Sequence, residues 1–307
     1  MGKNRKYKYF ACDFETTVFE GQESTEVWAS GLCELNTEDV KLFHSIDETF
    51  EYLVSLNSNL ILYYHNLKFD GTFWINYLLE IKQFKQAYRK LGDSAFVVEW
   101  MEDREMPNNS IKYGISDRGQ WYTITVKTKN KIFQFRDSLK LLPFSLKRIG
   151  KAFKTKHQKL DMEYEGYRYA GCTITDEEAE YLKNDVLVLK EALEFMFSQG
   201  HNKLTIGSCC LSEYKGIVGK LAWENIFPDL TTYTFTDKSF DAGTADAYIR
   251  HSYKGGWCYL VKGKENKIRH NGFTADVNSL YPSMMSSESG NYYPFGDPTF
   301  WKGDTIP

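Results

Sequence analysis

Apolar and polar positions follow two different periods in the first two thirds of the chain. Tyr7 to Phe14 is aromatic-rich and bounded by turn formers, and Asn59 to Tyr64 (NLILYY) is a short apolar run; both spacings predict strands. The stretch after Ser45, IDETFEYLVSL, repeats its apolar residues at helical spacing. Strand and helix patterns in alternation predict an α/β layer in which ligands sit at strand ends. Two further strand-like runs, Gln120 to Lys127 and Lys131 to Phe135, are separated by the turn-like TKN, and the second leads into DSLKLLPF. The best-defined helix follows Thr175, where Thr175 and Glu178 form a Thr-x-x-Glu capping box and Leu182, Val186, Leu189 and Leu193 repeat at helical spacing. Gly200 is its expected stop. Beyond it the texture turns irregular and rich in Gly and Thr, which places a domain boundary near 200 to 205. No internal repeat or low-complexity segment is evident.

Length and charge narrow the picture. A chain of 307 residues has room for two domains. Its 38 Lys plus Arg against 41 Asp plus Glu leave no global basic field, so any nucleic-acid site has to be local. The charge is unevenly placed: Lys140 to Lys159 holds seven Lys or Arg and no acid, whereas acids predominate from Asp161 to Asp185. Such a switch suits a backbone-binding edge beside a metal-binding edge, and LPFSLKRIGKAF suits a solvated helix face equally well. The six cysteines lack zinc-like spacing and read as reduced thiols of a cytosolic protein. The basic start MGKNRKYKYF lacks an apolar run of signal-peptide length, and no stretch approaches the roughly 20 apolar residues needed to cross a bilayer. The expectation is a cytoplasmic protein without a membrane partner.

Candidate chemistry lies in an ordered series of carboxylates: Asp13 and Glu15 in CDFET, Asp70 in HNLKFDG, and Asp185 in YLKND. Asp13 and Glu15, two apart on a strand, point to one face, and Tyr181 and Asp185, four apart on a helix, stack on one face. Magnesium is a hard ion that takes oxygen ligands, and two such ions about 3.5 to 4 Å apart serve phosphodiester cleavage. Each motif also has a plain reading. Asp-x-Glu fits a solvated strand face, Asn66 and Asp70 fit the capping of a strand-to-helix turn, and Tyr181 with Asp185 fits a half-buried helix position. Their joint order is what points to a nuclease, with Asp185 as a metal ligand and the Tyr181 hydroxyl orienting a water.

In these residues the chain resembles the proofreading 3′-to-5′ exonuclease domain of family B DNA polymerases, of the DEDD group. CDFET matches the first exonuclease motif, Asn66-Leu-Lys-Phe-Asp70 the second and Tyr181-Leu-Lys-Asn-Asp185 the third. Lys159-Leu-Asp-Met162 resembles the Lys-x-x-hydrophobic motif of the protein-primed subgroup found in small linear-genome phages. The resemblance implies Asp13, Glu15, Asp70 and Asp185 as metal ligands and Tyr181 and Lys159 as their catalytic companions, Lys159 stabilising the charged phosphate. It further implies single-strand contacts from Thr16, Tyr63, His65, Asn66, Phe69, Phe73, Ser138, Leu139 and Phe144. On pattern alone most of those aromatics belong to the core.

Further along, Tyr253-Lys-Gly255-Gly256 resembles the Tyr-x-Gly-Gly motif that links exonuclease and polymerase modules and contacts DNA, and Asp276-Val-Asn-Ser-Leu-Tyr281-Pro282 resembles the first polymerase motif. There Asp276 would bind catalytic metals and Tyr281 would pack under the nucleotide sugar. The implied fold is α/β, a ribonuclease H-like DEDD exonuclease domain over residues 1–203, followed by an incomplete α+β polymerase palm over residues 204–307. The implied activity is a DNA-directed DNA polymerase (a nucleotidyltransferase) with a 3′-5′ exonuclease, serving viral DNA replication in the host cytoplasm. Its cofactor is Mg2+ in a two-metal site, with Mn2+ as substitute. The implied partners are a single-stranded DNA 3′ end, primer-template DNA, dNTP in the complete polymerase and a terminal protein primer.

No Lys-x-x-x-Asn-Ser-x-Tyr-Gly or Asp-Thr-Asp motif follows Asp276, so the expectation is exonuclease activity alone, with exposed apolar surface beyond about residue 205. A stand-alone nuclease, a split-polymerase subunit that needs a second chain, and a non-enzymatic single-stranded-DNA-binding remnant are the other readings open to the sequence.

Overall fold

The computed structural model describes residues 7–90, 98–129, 131–162, 166–235, 243–253 and 259–300. The chain divides into two compact units, Met1–Leu211 and Ser212–Pro307. In the first, the strands are β1 (Tyr7–Thr16), β2 (Val27–Glu34), β3 (Val40–Phe43), β4 (Asn59–Tyr64), β5 (Lys85–Gln86), β6 (Tyr88–Lys90), β7 (Val98–Trp100), β8 (Ser110–Ile115), β9 (Trp121–Thr128) and β10 (Lys131–Asp137). They are interleaved with α1 (Ile46–Ser55), α2 (Leu67–Asn76), α3 (Leu146–Phe153) and α4 (Asp176–Ser198). Eight strands form one mixed sheet in the order β3-β2-β1-β4-β10-β9-β8-β5, with β1, β4 and β10 parallel at its centre. The region between α2 and β9, where sequence pattern predicted no strand, supplies β5 to β8.

Central strands of a sheet covered on both sides are apolar on both sides, as β1 and β4 are. Phe10, Cys12 and Phe14 of β1 join Phe50 and Leu53 of α1 and Leu67 and Trp74 of α2 in one core. Ala11 joins Ile149 of α3 and Leu182, Val186 and Leu189 of α4 in the other. Helix α4 starts where its sequence says it should: Glu178 N–H donates to Thr175 Oγ1 at 3.3 Å, and Thr175 N–H donates to Glu178 Oε2 at 2.9 Å. It lies close on the sheet because β2 has Gly31 beneath it. A Cβ there would stand 3.0 Å from Leu182 Cγ and Val186 Cγ2.

The start of α2 differs from the sequence expectation. Asn66 adopts the left-handed conformation (φ 76°) and makes no side-chain cap. The cap comes from Asp137 at the end of β10, whose Oδ1 accepts from Asn66 N–H and Leu67 N–H, both at 3.2 Å.

From the end of the first unit and through the second, the described residues fold differently from the expectation. The stretch after Gly200, read as irregular, forms α5 (Ile206–Val218) and, after a turn at Gly219, α6 (Lys220–Ile226). Tyr214, Trp223 and Phe227 pack together there, with Trp223 and Phe227 centroids 4.4 Å apart. Two further helices are α7 (Ala245–His251) and α8 (Leu280–Met285). Among the described residues the second unit has a bridge between Thr234 and Thr244 but no strand. No sheet is formed among its described residues. Phe273, Val277 and Tyr281 are exposed, as expected of that region. No helix of the described residues is long and apolar enough to cross a membrane, and the five described cysteines are unpaired.

Candidate active site

Two carboxylates of the candidate set leave the sheet on one strand. Asp13 and Glu15 sit two apart near the carboxyl end of β1, opposite Gly31 and Ala29 of β2, and so point to the α4 side. Because Gly31 admits α4 so closely, Asp185 descends onto the same spot. Ligand oxygens of Asp13, Glu15 and Asp185 all lie within 4.8 Å of one another. Asp70 arrives from the first turn of α2 at the end of the neighbouring strand β4. It is 2% exposed, and Asp185 is 3% exposed.

Crowding of like charge away from water disfavours ionisation. The Asp13 carboxyl is pushed well above the usual range by burial and then by Asp70, Glu15 and Asp185, with Lys159 drawing it back. Burial likewise raises Asp70, against the backbone amides of Asp70 and Phe14 that favour its charge. Lys159 bonds to Asp185 Oδ2, and its Nζ lies 2.9 Å from the Tyr181 hydroxyl. Burial pulls the ammonium down, but its bonds to Asp185 and Tyr181 outweigh that and hold it above the ordinary lysine range. Burial lifts Asp185 in spite of Lys159.

Asp70 Oδ1 and Asp185 Oδ1 are both buried without a hydrogen-bond partner. Such orphaned acceptors are rare in folded proteins. An all-oxygen anionic donor set with acceptors left over is what a hard divalent cation takes, and it contains no thiolate or imidazole to favour a softer one.

A second group of candidate residues lines the adjacent surface. The exposed Phe69 and the half-buried Phe73 stand edge to face with centroids 5.4 Å apart, and together with Asn66, Lys68 and Thr72 they line a shallow open groove. His65 Nε2 lies 2.8 Å from Phe144 O and His65 Nδ1 lies 2.9 Å from Ser138 Oγ. Burial lowers the His65 pKa and favours the neutral ring. Since a carbonyl only accepts, the proton is on Nε2, and Nδ1 faces the Ser138 hydroxyl. Phe144 is exposed and Leu139 is half-buried, its N–H donating to Asp137 Oδ1 at 3.1 Å. Thr16 is buried at a strand irregularity after Glu15.

Four groups of candidate residues remain to be placed. Tyr63 is fully buried, packed on Phe197 with its hydroxyl accepting from Arg136 Nη1 at 3.2 Å. Ser138 is fully buried as well and acts behind His65, which is the side chain nearer the surface. Asp276 and Tyr281 belong to the second unit, where Tyr281 is 76% exposed. Tyr253 is exposed, and Gly255 and Gly256 lie outside the described residues. One positioning residue was missed altogether: Asp137, which caps α2 and so places Asp70. Its only sequence signal was its place at the exit of a predicted strand.

A mixed α/β sheet whose parallel centre ends in clustered carboxylates defines a class, that of α/β domains with an acidic site at the strand ends. Comparison with known proteins takes the assignment further. Residues 53–172 and 161–306 match the family "DNA polymerase type B, organellar and viral". The DNA polymerase of Bacillus phage phi29 is 37% identical over 314 residues, covering 99% of this chain and 48% of the relative. Solved structures of the Phi29 DNA polymerase are similar throughout: complexed with primer-template DNA and incoming nucleotides, TM-score 0.75 at 33% identity, covering 97% of this chain and 48% of that one; complexed with single-stranded DNA, TM-score 0.70 at 32% identity, with the same coverage. The chain belongs to the type B DNA polymerases of organelles and viruses. It spans about half the length of the curated relatives it matches.

Proposed function

We propose that residues 1–203 form a ribonuclease H-like exonuclease of the DEDD group, which removes nucleotides from a single-stranded DNA 3′ end, and that the second unit is the beginning of a polymerase palm. The observation that carries the reading is the gathering of Asp13, Glu15 and Asp185 oxygens within 4.8 Å beside two buried carboxylate oxygens without partners. Asp13, Glu15, Asp70 and Asp185 would hold divalent cations, Mg2+ with Mn2+ as substitute. Bound there, such ions supply an acidified water and charge stabilisation of the leaving oxygen.

The remaining work falls to the protein. Lys159 donates to Asp185 and to the Tyr181 oxygen, which fixes both side chains and brings a cation to the place where phosphate charge grows. With Lys159 donating into its oxygen, the Tyr181 O–H is directed away from the ammonium, and there it orients the attacking water. Phe69 and Phe73 take bases by stacking, worth about 1 to 3 kcal/mol per base and indifferent to sequence. Asn66, Thr16, His65, Leu139 and Phe144 complete the binding surface, His65 holding the Phe144 backbone in place. In a complete polymerase Asp276 and Tyr281 would serve nucleotide transfer, and Tyr253 with Gly255 and Gly256 would contact primer-template DNA. The likeness to polymerase structures holding single-stranded and primer-template DNA supports these assignments.

The test is incubation with a 3′-labelled single-stranded oligonucleotide in Mg2+ or EDTA, beside a primed template with nucleotides. Mg2+-dependent release of the terminal nucleotide, without extension, is expected. Binding without release in any divalent ion would sink the exonuclease and leave only a binding module.

A further inference from the structure

The basic run between Lys140 and Lys159 is only partly used by the site. Helix α3 turns Ile149 and Gly150 inward and leaves Lys147, Arg148 and Lys151 exposed. Lys147 is engaged, its Nζ standing 3.0 and 2.9 Å from the Asp161 carboxylate oxygens. Arg148 has no carboxylate partner among the described residues. Its guanidinium instead lies over the Phe144 ring at 4.3 Å. Phe144 is itself fixed, through its carbonyl, by His65, which follows β4, the strand whose end carries Asp70 on α2. Arg148 is thus a cation held in place on a segment that His65 ties to the end of β4.

Two physical points give that charge a purpose. Stacking occupies a face of the guanidinium and leaves its edge N–H donors to grip two oxygens of one group. The site centre is strongly anionic, so a polyanionic strand is repelled there until cations are bound and needs attraction at the rim. We propose that Arg148 is a phosphate contact for the single strand entering the site, gripping the backbone next to a base that rests on Phe144. This rests on the exonuclease reading above. It adds a binding residue outside the motifs and gives the basic segment a specific role.

The test measures equilibrium binding of a 3′-fluorescent single-stranded oligonucleotide across a salt series in EDTA, and kcat and KM for cleavage in Mg2+, for wild type, Arg148→Ala, Arg148→Lys and Lys41→Ala. Lys41 is an exposed cation on edge strand β3 and controls for general charge. Arg148→Ala is expected to weaken binding about 10- to 150-fold, as one charge-assisted contact warrants, with KM rising and kcat unchanged. The slope of log K against log salt should become shallower by about 0.7, the value for one phosphate on a single strand. Arg148→Lys should keep the slope and recover part of the affinity, and Lys41→Ala should change neither. Wild-type affinity and slope in Arg148→Ala, or an equal loss in Lys41→Ala, would overturn the assignment while wild-type cleavage left the exonuclease reading standing. Wild type that neither bound nor cut the oligonucleotide would overturn both.

Discussion

Replacing Asp13 by Asn keeps the shape of the side chain and removes one negative charge from the crowded group. Asp13 Oδ1 accepts from Phe14 N–H at 3.1 Å, a bond an amide oxygen retains. Its oxygens share a 4.8 Å neighbourhood with those of Glu15 and Asp185. Two unit charges at that separation repel by about 3 kcal/mol at an effective dielectric of 20 and by about 1 kcal/mol in bulk water. Part of that repulsion is offset by Lys159, which also draws on Asp13. The cation-free protein should therefore gain roughly 1 to 3 kcal/mol from the substitution. For a unit the size of Met1–Leu211, that corresponds to a Tm rise of about 2 to 12 °C. The assay is thermal unfolding in EDTA and in Mg2+, with cleavage of a single-stranded oligonucleotide measured in parallel. Asp13→Asn should be more stable than wild type in EDTA, should lose the Mg2+-induced stabilisation, and should lose cleavage. A variant less stable in EDTA that still gains stability from Mg2+ would refute the reasoning, because Asp13 would then be neither a repelled charge nor a cation ligand.

Other perturbations test the remaining links. The carboxyls of Asp13, Asp70 and Asp185 are all raised in the folded state, so what they contribute to stability is fully present below the ordinary carboxylate range and is lost as pH rises through their raised values. Cations bind the ionised forms, and the Tm difference between Mg2+ and EDTA should widen from pH 5 to pH 8; a difference constant with pH would contradict this. Lys159→Met should lower kcat about 10²- to 10³-fold, the usual effect of removing one charge-stabilising donor, with binding of the oligonucleotide in EDTA retained. Gly31→Ala places a methyl 3.0 Å from Leu182 and Val186 and should cost about 1 to 3 kcal/mol in urea unfolding while displacing Asp185 and depressing cleavage. Asp137→Ala uncaps α2 and should destabilise by about 1 to 2 kcal/mol, with a fall in cleavage, since Asp70 rides on that first turn.

What could be read from sequence was what lies within a few consecutive residues. The Thr175 to Glu178 box, the NLILYY strand and the helix after Ser45 carry their signals locally, and each element formed where its pattern lay. The carboxylates were legible because Asp13 with Glu15 and Tyr181 with Asp185 are paired at strand and helix spacing. What escaped depends on distant partners. The cap of α2 comes from Asp137, some 70 residues away, and no local pattern shows it. Gly31 looks like any strand glycine until α4 lies over it. Tyr63, which the resemblance gives as a single-strand contact, belongs to the short apolar run of β4 and is buried there. The helices α5 and α6 were hidden by glycines that local reading takes for loop signals.

The parts that place the site and the parts that make it reactive pull in opposite directions. Asp70 and Asp185 are buried with an oxygen each left without a partner, which costs stability in the cation-free protein. They persist because the elements carrying them are held for other reasons: α4 by its capping box and by Leu182, Val186 and Leu189 in the core, α2 by the Asp137 cap and by Leu67 and Trp74. Gly31 joins the two sides, since it sets how far α4 descends and hence how closely Asp185 approaches the strand that carries Asp13 and Glu15. A scaffold stabilised independently of its charges can keep like charges together before any cation arrives, and that preorganisation is what a carboxylate-bound metal site requires.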